Sequence, residues 1–226
     1  MVAPFPGGIG ISGLRVYDWP AVDGVCGGSP HVHLACSECY YVVGGRGSVQ
    51  TLTRRGFAET PLSEGVVAWF TPGTIHRLVN DGDLRIVVLM QNSGLPEAGD
   101  AVFTFPAEVL ADSADYSERA RAGDEESTRR RRDLALEGFL ELRRRVEAGE
   151  DALTDFYRAA TRLKQPDLDA WEKRWRAGAL ASAERTGEQL GRLRDGDVGH
   201  LGEADVHVTR ARTPQRFGMC GRLDAF

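Results

Sequence analysis

His31, His33, Glu38 and His76 are the residues whose types and spacing can do chemistry in this chain. His31-Val32-His33 sets two imidazoles two residues apart, so on a β-strand both rings project from the same face. Glu38 follows five residues after His33, and His76 comes 43 residues after His33, at the end of Thr71-Pro72-Gly73-Thr74-Ile75-His76. Imidazole nitrogen and carboxylate oxygen are ligands that first-row transition metals accept readily. A lone histidine on an apolar strand is more often a packed core residue than a ligand, but four residues in register change that reading. Together they predict one divalent transition metal, iron, manganese, zinc or nickel, held inside a small β-barrel.

The elements that must position these ligands follow from parity. An odd offset between His33 and Glu38 along one uninterrupted strand would aim Glu38 at the opposite face. A turn or bulge within Ala35-Cys36-Ser37 must therefore reset the alternation, after which Glu38, Tyr40 and Val42 face inward. Short strands are expected at residues 14–19, 31–34, 38–43, 48–53, 66–70, 77–79 and 84–91, where apolar and β-branched residues cluster. Gly44-Gly45-Arg46-Gly47 and Asn80-Asp81-Gly82-Asp83 lie between them and are expected to be turns. Such spacing predicts a mainly β chain, an antiparallel barrel or jelly roll.

The pattern resembles the cupin superfamily. In the family's first motif, His31, His33, Glu38 and Gly45 stand at the family spacing, while Val25 occupies the place of the leading glycine, with Gly24 beside it. In the second motif Gly65, Gly73, His76 and Asn80 match, whereas Thr71 holds the proline position and Pro72 falls one place later. The departures touch turn geometry, and all four metal-ligand positions are filled. The resemblance covers residues 10 to 95 and implies a cupin-type barrel with an open-sided metal site, suited to a metal-dependent isomerase, epimerase or dioxygenase acting on a small polar metabolite. A non-catalytic small-molecule-binding cupin, whose helices mediate assembly, is the alternative.

Residues on the same strands supply candidates for the pocket lining: Tyr40, Gln50, Trp69, Arg85 and Gln91. Parity supports Tyr40 best. Arg85, a single guanidinium in an apolar run, can clamp an anionic group or face outward.

Residues 93–115 are a transition, and from Asp115 onward the character changes. Ala, Leu, Glu and Arg dominate, the composition of helices. The expected organisation is a barrel at 1–105, a helical extension at 106–200, and a tail at 201–226 in which residues 205–209 alternate like a strand returning to the barrel edge. Leu136, Phe139, Leu140 and Leu142 give one apolar face; Leu153, Phe156, Tyr157, Ala160 and Leu163 give another, with Asp151 as N-cap; Trp171 and Trp175 mark a third helix. A surplus of apolar helix faces predicts a homodimer. The runs Arg129–Arg132 and Arg143–Arg145 have acidic residues within a turn, which predicts a solvated, ion-paired surface. A net charge of −5 and the lack of a helix-turn-helix pattern argue against nucleic-acid binding. No apolar run reaches 18 residues, so no membrane span is expected, and the N-terminal residues have no signal-peptide pattern, which predicts a cytoplasmic protein. Cys36 and Cys39 form a C-x2-C without a second pair, which does not predict a separate zinc site.

Overall fold

A computed structural model describes residues 5–211 and 214–226. Its strands are β1 (Gly10–Val16), β2 (His31–His33), β3 (Glu38–Thr53), β4 (Gly56–Ser63), β5 (Val67–Phe70), β6 (Ile75–Met90), β7 (Ala101–Phe103), β8 (Arg216–Phe217) and β9 (Gly221–Ala225). They form one antiparallel sheet in the order β4-β3-β6-β1-β9-β8, with β5 on β3 and β2 between β6 and β7. The path ends at β4 and β8, so the jelly roll is wrapped rather than closed by hydrogen bonds. Pro61, which cannot donate to a ladder, sits in the edge strand β4, where one side of the backbone needs no partner.

The glycine-rich segments expected as turns are not turns. β3 runs through Gly44–Gly47 and β6 through Asn80–Asp83, and the two lie against each other, with register shifts between Val42 and Gly47. Bulges there let two long strands bend while staying paired, so each serves both halves of the barrel. Gly45 has φ +74, and a Cβ at that position would lie 2.0 Å from the Asp83 oxygen, so the bend needs glycine.

The interior of the sheet is filled by Leu14, Val42, Val49, Leu78, Leu84 and Ile86. A second core, containing Val32, Leu52, Ile75, Val102 and Phe105, joins the outer side of β2 and β7 to helices. Those helices are α1 (Ala107–Ala111), α2 (Ser113–Ala120), α3 (Glu125–Glu147), α4 (Ala152–Lys164), α5 (Leu168–Trp175) and α6 (Ala181–Arg194). Leu136, Phe139 and Leu142 of α3 and Leu153, Phe156 and Ala160 of α4 bury their stripes here, while Leu140 faces solvent. Asp151 precedes α4 but makes no side-chain cap; its carboxylate accepts from the Thr154 hydroxyl. Gly138 lets α3 approach Thr104, since a Cβ there would lie 2.0 Å from the Thr104 oxygen. β2 is buried on both faces for this reason: sheet interior on the His31 and His33 side, helix on the Val32 side.

Two further expectations change. Residues 205–209 are not a strand; the chain returns to the sheet through Gly221–Ala225, which pairs along β1 from Ser12 to Val16. The first arginine run is only half solvated. Arg129 and Arg130 pair with Glu125 and Glu126 one turn back, whereas Arg131 and Arg132 are buried. They share a stripe with Thr128, Ala135 and Leu136, where helical spacing demands an inward side chain. Arg132 donates to the carbonyls of Trp19 (2.8 Å) and Pro20 (2.9 Å), joining α3 to the loop after β1. In the second run Arg143, Arg144 and Arg145 pair with Glu147, Glu141 and Glu150.

Arg77, 1% exposed, is the residue after His76 and is held by a two-pronged contact with Asp23, at 2.6 and 3.2 Å. Burial alone would push the Asp23 carboxyl up, but the Arg77 guanidinium outweighs it and holds the carboxyl below its ordinary value. A carboxyl depressed on folding contributes stability above its unfolded pKa and loses it as pH falls through the folded value. Asp23→Asn is therefore expected to cost about 2 kcal/mol at neutral pH and to flatten the loss of stability on acidification, measured by urea denaturation across pH.

Candidate metal centre

His31 and His33 lie on β2, Glu38 opens β3 and His76 is the second residue of β6. His31 pairs directly with His76 across β2 and β6. The chain leaves β2 after His33 and re-enters at Glu38 through a bend, as the parity of the ligands requires. All four side chains are buried, and one donor atom from each lies within 4.8 Å of the others.

Each imidazole is held by its Nδ1. His31 Nδ1 lies 2.9 Å from the Ser29 carbonyl oxygen and His76 Nδ1 3.1 Å from that of Thr74, in both cases two residues upstream. His33 Nδ1 lies 3.2 Å from Asp100 Oδ2. Carbonyl and carboxylate oxygens only accept, so Nδ1 carries a hydrogen on all three rings, and in the neutral form of each ring the lone pair is on Nε2. Glu38 Oε2 lies 3.0 Å from His76 Nε2 and 3.4 Å from His33 Nε2. No hydrogen bond satisfies Glu38 Oε2 or His76 Nε2, although both atoms are buried. Buried polar atoms without partners are costly, and a cation among them removes that cost. The donor set fits a divalent transition metal.

The electrostatics have the same sense. Burial, with the neighbouring His76 and His33, pushes His31 well below its ordinary pKa, so it is a neutral ring. Burial also pushes His33 down, but the Asp100 and Glu38 carboxylates outweigh it and raise its pKa. Burial would raise Glu38, yet the His76 and His33 rings bring it down to about 2, keeping it an anion. Asp100 is fully buried and makes more than one bond: its Oδ1 accepts the backbone N–H groups of Leu34 (3.0 Å) and Ala35 (2.8 Å). One carboxylate thus orients the His33 ring and fixes the bend between His33 and Glu38. Its place beside His33 arises because β2 pairs with β7, His33 opposite Ala101, a long-range register that no local spacing announces.

A cavity of about 320 Å³ opens beside His31, His33 and Glu38, while His76 lies buried behind them. Tyr40 lines it, with Leu14, Val88, Met90, Glu97 and Arg131, and the segment from Gly218 to Cys220 forms one wall. The other expected pocket residues lie outside it. Gln50 pairs with Arg77, on the face opposite His76, and donates to Glu59. Trp69 pairs with Cys39 and is 74% exposed, since Phe70 and Ala68 take the inward positions opposite Glu38 and Tyr40. Arg85, between buried Leu84 and Ile86, points outward to Asp83 at 3.3 Å. Gln91, exposed beyond the end of β6, accepts from the Ser37 N–H at 3.2 Å. Neither His200 nor His207 lines the cavity.

Residues 23–91 match the model of the Cupin domain family. The barrel is a cupin. Among solved structures, the cupin is similar to a conserved protein with a double-stranded beta-helix domain from Klebsiella pneumoniae, at 17% identity over 38% of this chain and 67% of that one, with a TM-score of 0.29. A cupin protein from Bacteroides fragilis matches at 17% identity over 38% of this chain and 65% of its own, TM-score 0.28. The capsular polysaccharide assembling protein CapF from Staphylococcus aureus matches at 20% identity over 46% of this chain and 29% of its own, TM-score 0.34. The chain thus spans about two thirds of the first two proteins and under a third of CapF. No curated protein matches it significantly. Among the described residues no helix is long and apolar enough to cross a membrane.

The Asp100 arrangement yields a direct test. In Asp100→Asn an amide oxygen can still accept from Leu34 and Ala35, but the amide N–H₂ then meets His33 Nδ1–H, and the ring turns or changes tautomer. Zinc affinity, measured by competition with a chromogenic chelator, is expected to fall about 10- to 100-fold with the fold retained.

Proposed function

We propose that this cupin is a metal-dependent enzyme acting on a small polar metabolite, with His31, His33, Glu38 and His76 as ligands of one divalent transition metal. The observation that carries the reading is the anchoring of three Nδ1 atoms by oxygens, which commits three Nε2 lone pairs and a carboxylate anion to one point. A purely structural histidine cluster would have no use for a buried, unpartnered Nε2 and Oε2.

Bound there, the metal supplies Lewis acidity for an isomerisation or epimerisation, or a binding place for dioxygen in a dioxygenase reaction. With His31, His33, Glu38 and His76 as its donors, a six-coordinate metal would keep positions open for a substrate. The remaining roles belong to the chain. Burial, with Glu38 beside it, pushes the Tyr40 phenol well above its ordinary pKa, so Tyr40 keeps its proton and can donate to a substrate oxygen. Leu14, Val88 and Met90 present apolar walls that exclude bulk water. The volume of about 320 Å³ suits a metabolite of modest size.

The reading extends to setting and assembly. We infer a cytoplasmic location, in keeping with four free cysteines, and a homodimer. With the α3 and α4 stripes packed on the barrel, the exposed Tyr41, Val43, Val67 and Trp69 on the outer face of β3 and β5 are the apolar surface a second copy would cover. Light scattering is expected to give twice the 24.7 kDa chain mass, and Trp69→Glu to reduce it to the chain mass; a monomeric wild type removes the dimer.

Elemental analysis of protein purified without chelator, joined to an oxygen-uptake screen, tests the metal reading. About one first-row metal per chain is expected, lost in both His33→Ala and His76→Ala. Iron with oxygen consumption selects the dioxygenase class, and zinc or manganese without it the isomerase class. Full metal retention in both variants, or a wild type that takes up none, overturns the reading and leaves the non-catalytic binding cupin.

A further inference from the structure

Among the described residues three arginines are buried, and two have evident employment. Arg77 is matched by the Asp23 carboxylate. Arg132 is satisfied by Asp133 and by the carbonyls of Trp19 and Pro20. Arg131, at 8% exposure, differs. Its guanidinium donates to Gly218 O at 2.6 Å and, at the long distance of 3.4 Å, to Ala120 O. Its Nε is buried with no partner, and among the described residues no carboxylate lies within ion-pair distance. A guanidinium has five N–H donors and is always charged, so most of its donors are unused and its charge meets no carboxylate in a place that water scarcely reaches. Burial accordingly lowers its pKa.

The position of that charge gives it a use. Arg131 lines the same cavity as His31, His33, Glu38 and Tyr40. Its guanidinium stands 5.0 Å over the Phe103 ring, and that ring lies 6.5 Å from His31. Gly218, its main acceptor, belongs to the C-terminal wall and also accepts from Tyr17 at 3.1 Å, so that carbonyl is fixed by two donors. α3 and the C-terminal wall both lie outside the residues that match the cupin family model.

We propose that Arg131 makes the cavity an anion site, binding the carboxylate of a small carboxylated metabolite whose other polar end reaches the His31, His33 and Glu38 end of the cavity. The planar fork of arginine matches a carboxylate with two parallel hydrogen bonds. One buried guanidinium balances the single charge of a carboxylate, whereas a phosphate dianion would bring a second charge into a cavity that Glu97 already lines. Arg216, on the same lining, is exposed and so belongs to the entrance. Because the second half of this proposal rests on the metal reading above, the two are tested by separate readouts.

Zinc-loaded and zinc-stripped protein are each titrated with lactate, pyruvate, neutral propane-1,2-diol and inorganic phosphate, with binding read by calorimetry and zinc content by elemental analysis. Lactate and pyruvate are expected to bind at millimolar concentration or better and the diol at least tenfold more weakly. Arg131→Gln is expected to weaken the carboxylates at least tenfold with zinc content unchanged. Arg131→Lys keeps the charge while losing the fork, and it is expected to recover only part of that loss; it also serves if the glutamine variant does not fold. Carboxylates bound equally by the variants and wild type, a diol bound as well as the carboxylates, or no carboxylate binding at all overturns the proposal; preference for phosphate overturns the choice of carboxylate. A wild type that takes up no zinc refutes the metal reading alone, and Arg131-dependent carboxylate binding to the stripped protein then still supports the anion site.

Discussion

Three imidazoles crowd round one buried carboxylate, with ring centres 4.2 to 5.9 Å apart, and they remain usable only because each Nδ1 has an oxygen acceptor. Without those acceptors the rings could turn, protonate or bond to one another, and the lone pairs would be lost to internal contacts. Two of the acceptors are backbone carbonyls fixed by the local chain, at Ser29 and Thr74. The third, Asp100, is a side chain brought in by long-range strand pairing. It also ties down the bend that resets the alternation between His33 and Glu38. The ligand geometry therefore depends on β7 as much as on the strands that bear the ligands.

The helices are part of the same construction. They cover the outer side of β2 and β7, which lets the histidine strand be buried on both faces without an exposed apolar row. α3 contributes two inward arginines with different tasks: Arg132 joins the helix to the loop after β1, and Arg131 reaches the cavity. The C-terminal strand β9 adds to the free edge of β1, and the segment before it closes the cavity, with Cys220 Sγ 4.0 Å from His31 Nδ1. The barrel supplies the His31, His33, Glu38 and His76 cluster, and the parts of the chain beyond it shape what can approach it.

Much of this was legible in the order of residues. His31, His33, Glu38 and His76 stand in fixed register, and parity required a bend within Ala35–Ser37. Tyr40 followed from the same alternation. What stayed hidden was long-range or ambiguous. Asp100 lies 67 residues from His33, and only the β2–β7 register joins them. Gly44–Gly47 and Asn80–Asp83 carry turn residues, but paired bulges use the same residues as turns. Arg131 sits in a run whose other members find glutamates, and charge spacing there masked a helical stripe that turns two of four arginines inward. Gln50, Trp69 and Arg85 lie on the outward parity of their strands, which the assumed strand limits did not fix.

Nitrogen-15 NMR of the imidazoles, recorded on zinc-free and zinc-loaded protein, tests the anchoring most directly. The expected result is a neutral Nδ1–H tautomer for His31 in the zinc-free protein, and in the loaded protein Nδ1–H on His31, His33 and His76 with zinc shifts on all three Nε2 signals. Zinc shifts at an Nδ1, or any one of the three rings left unmoved by zinc, would contradict it.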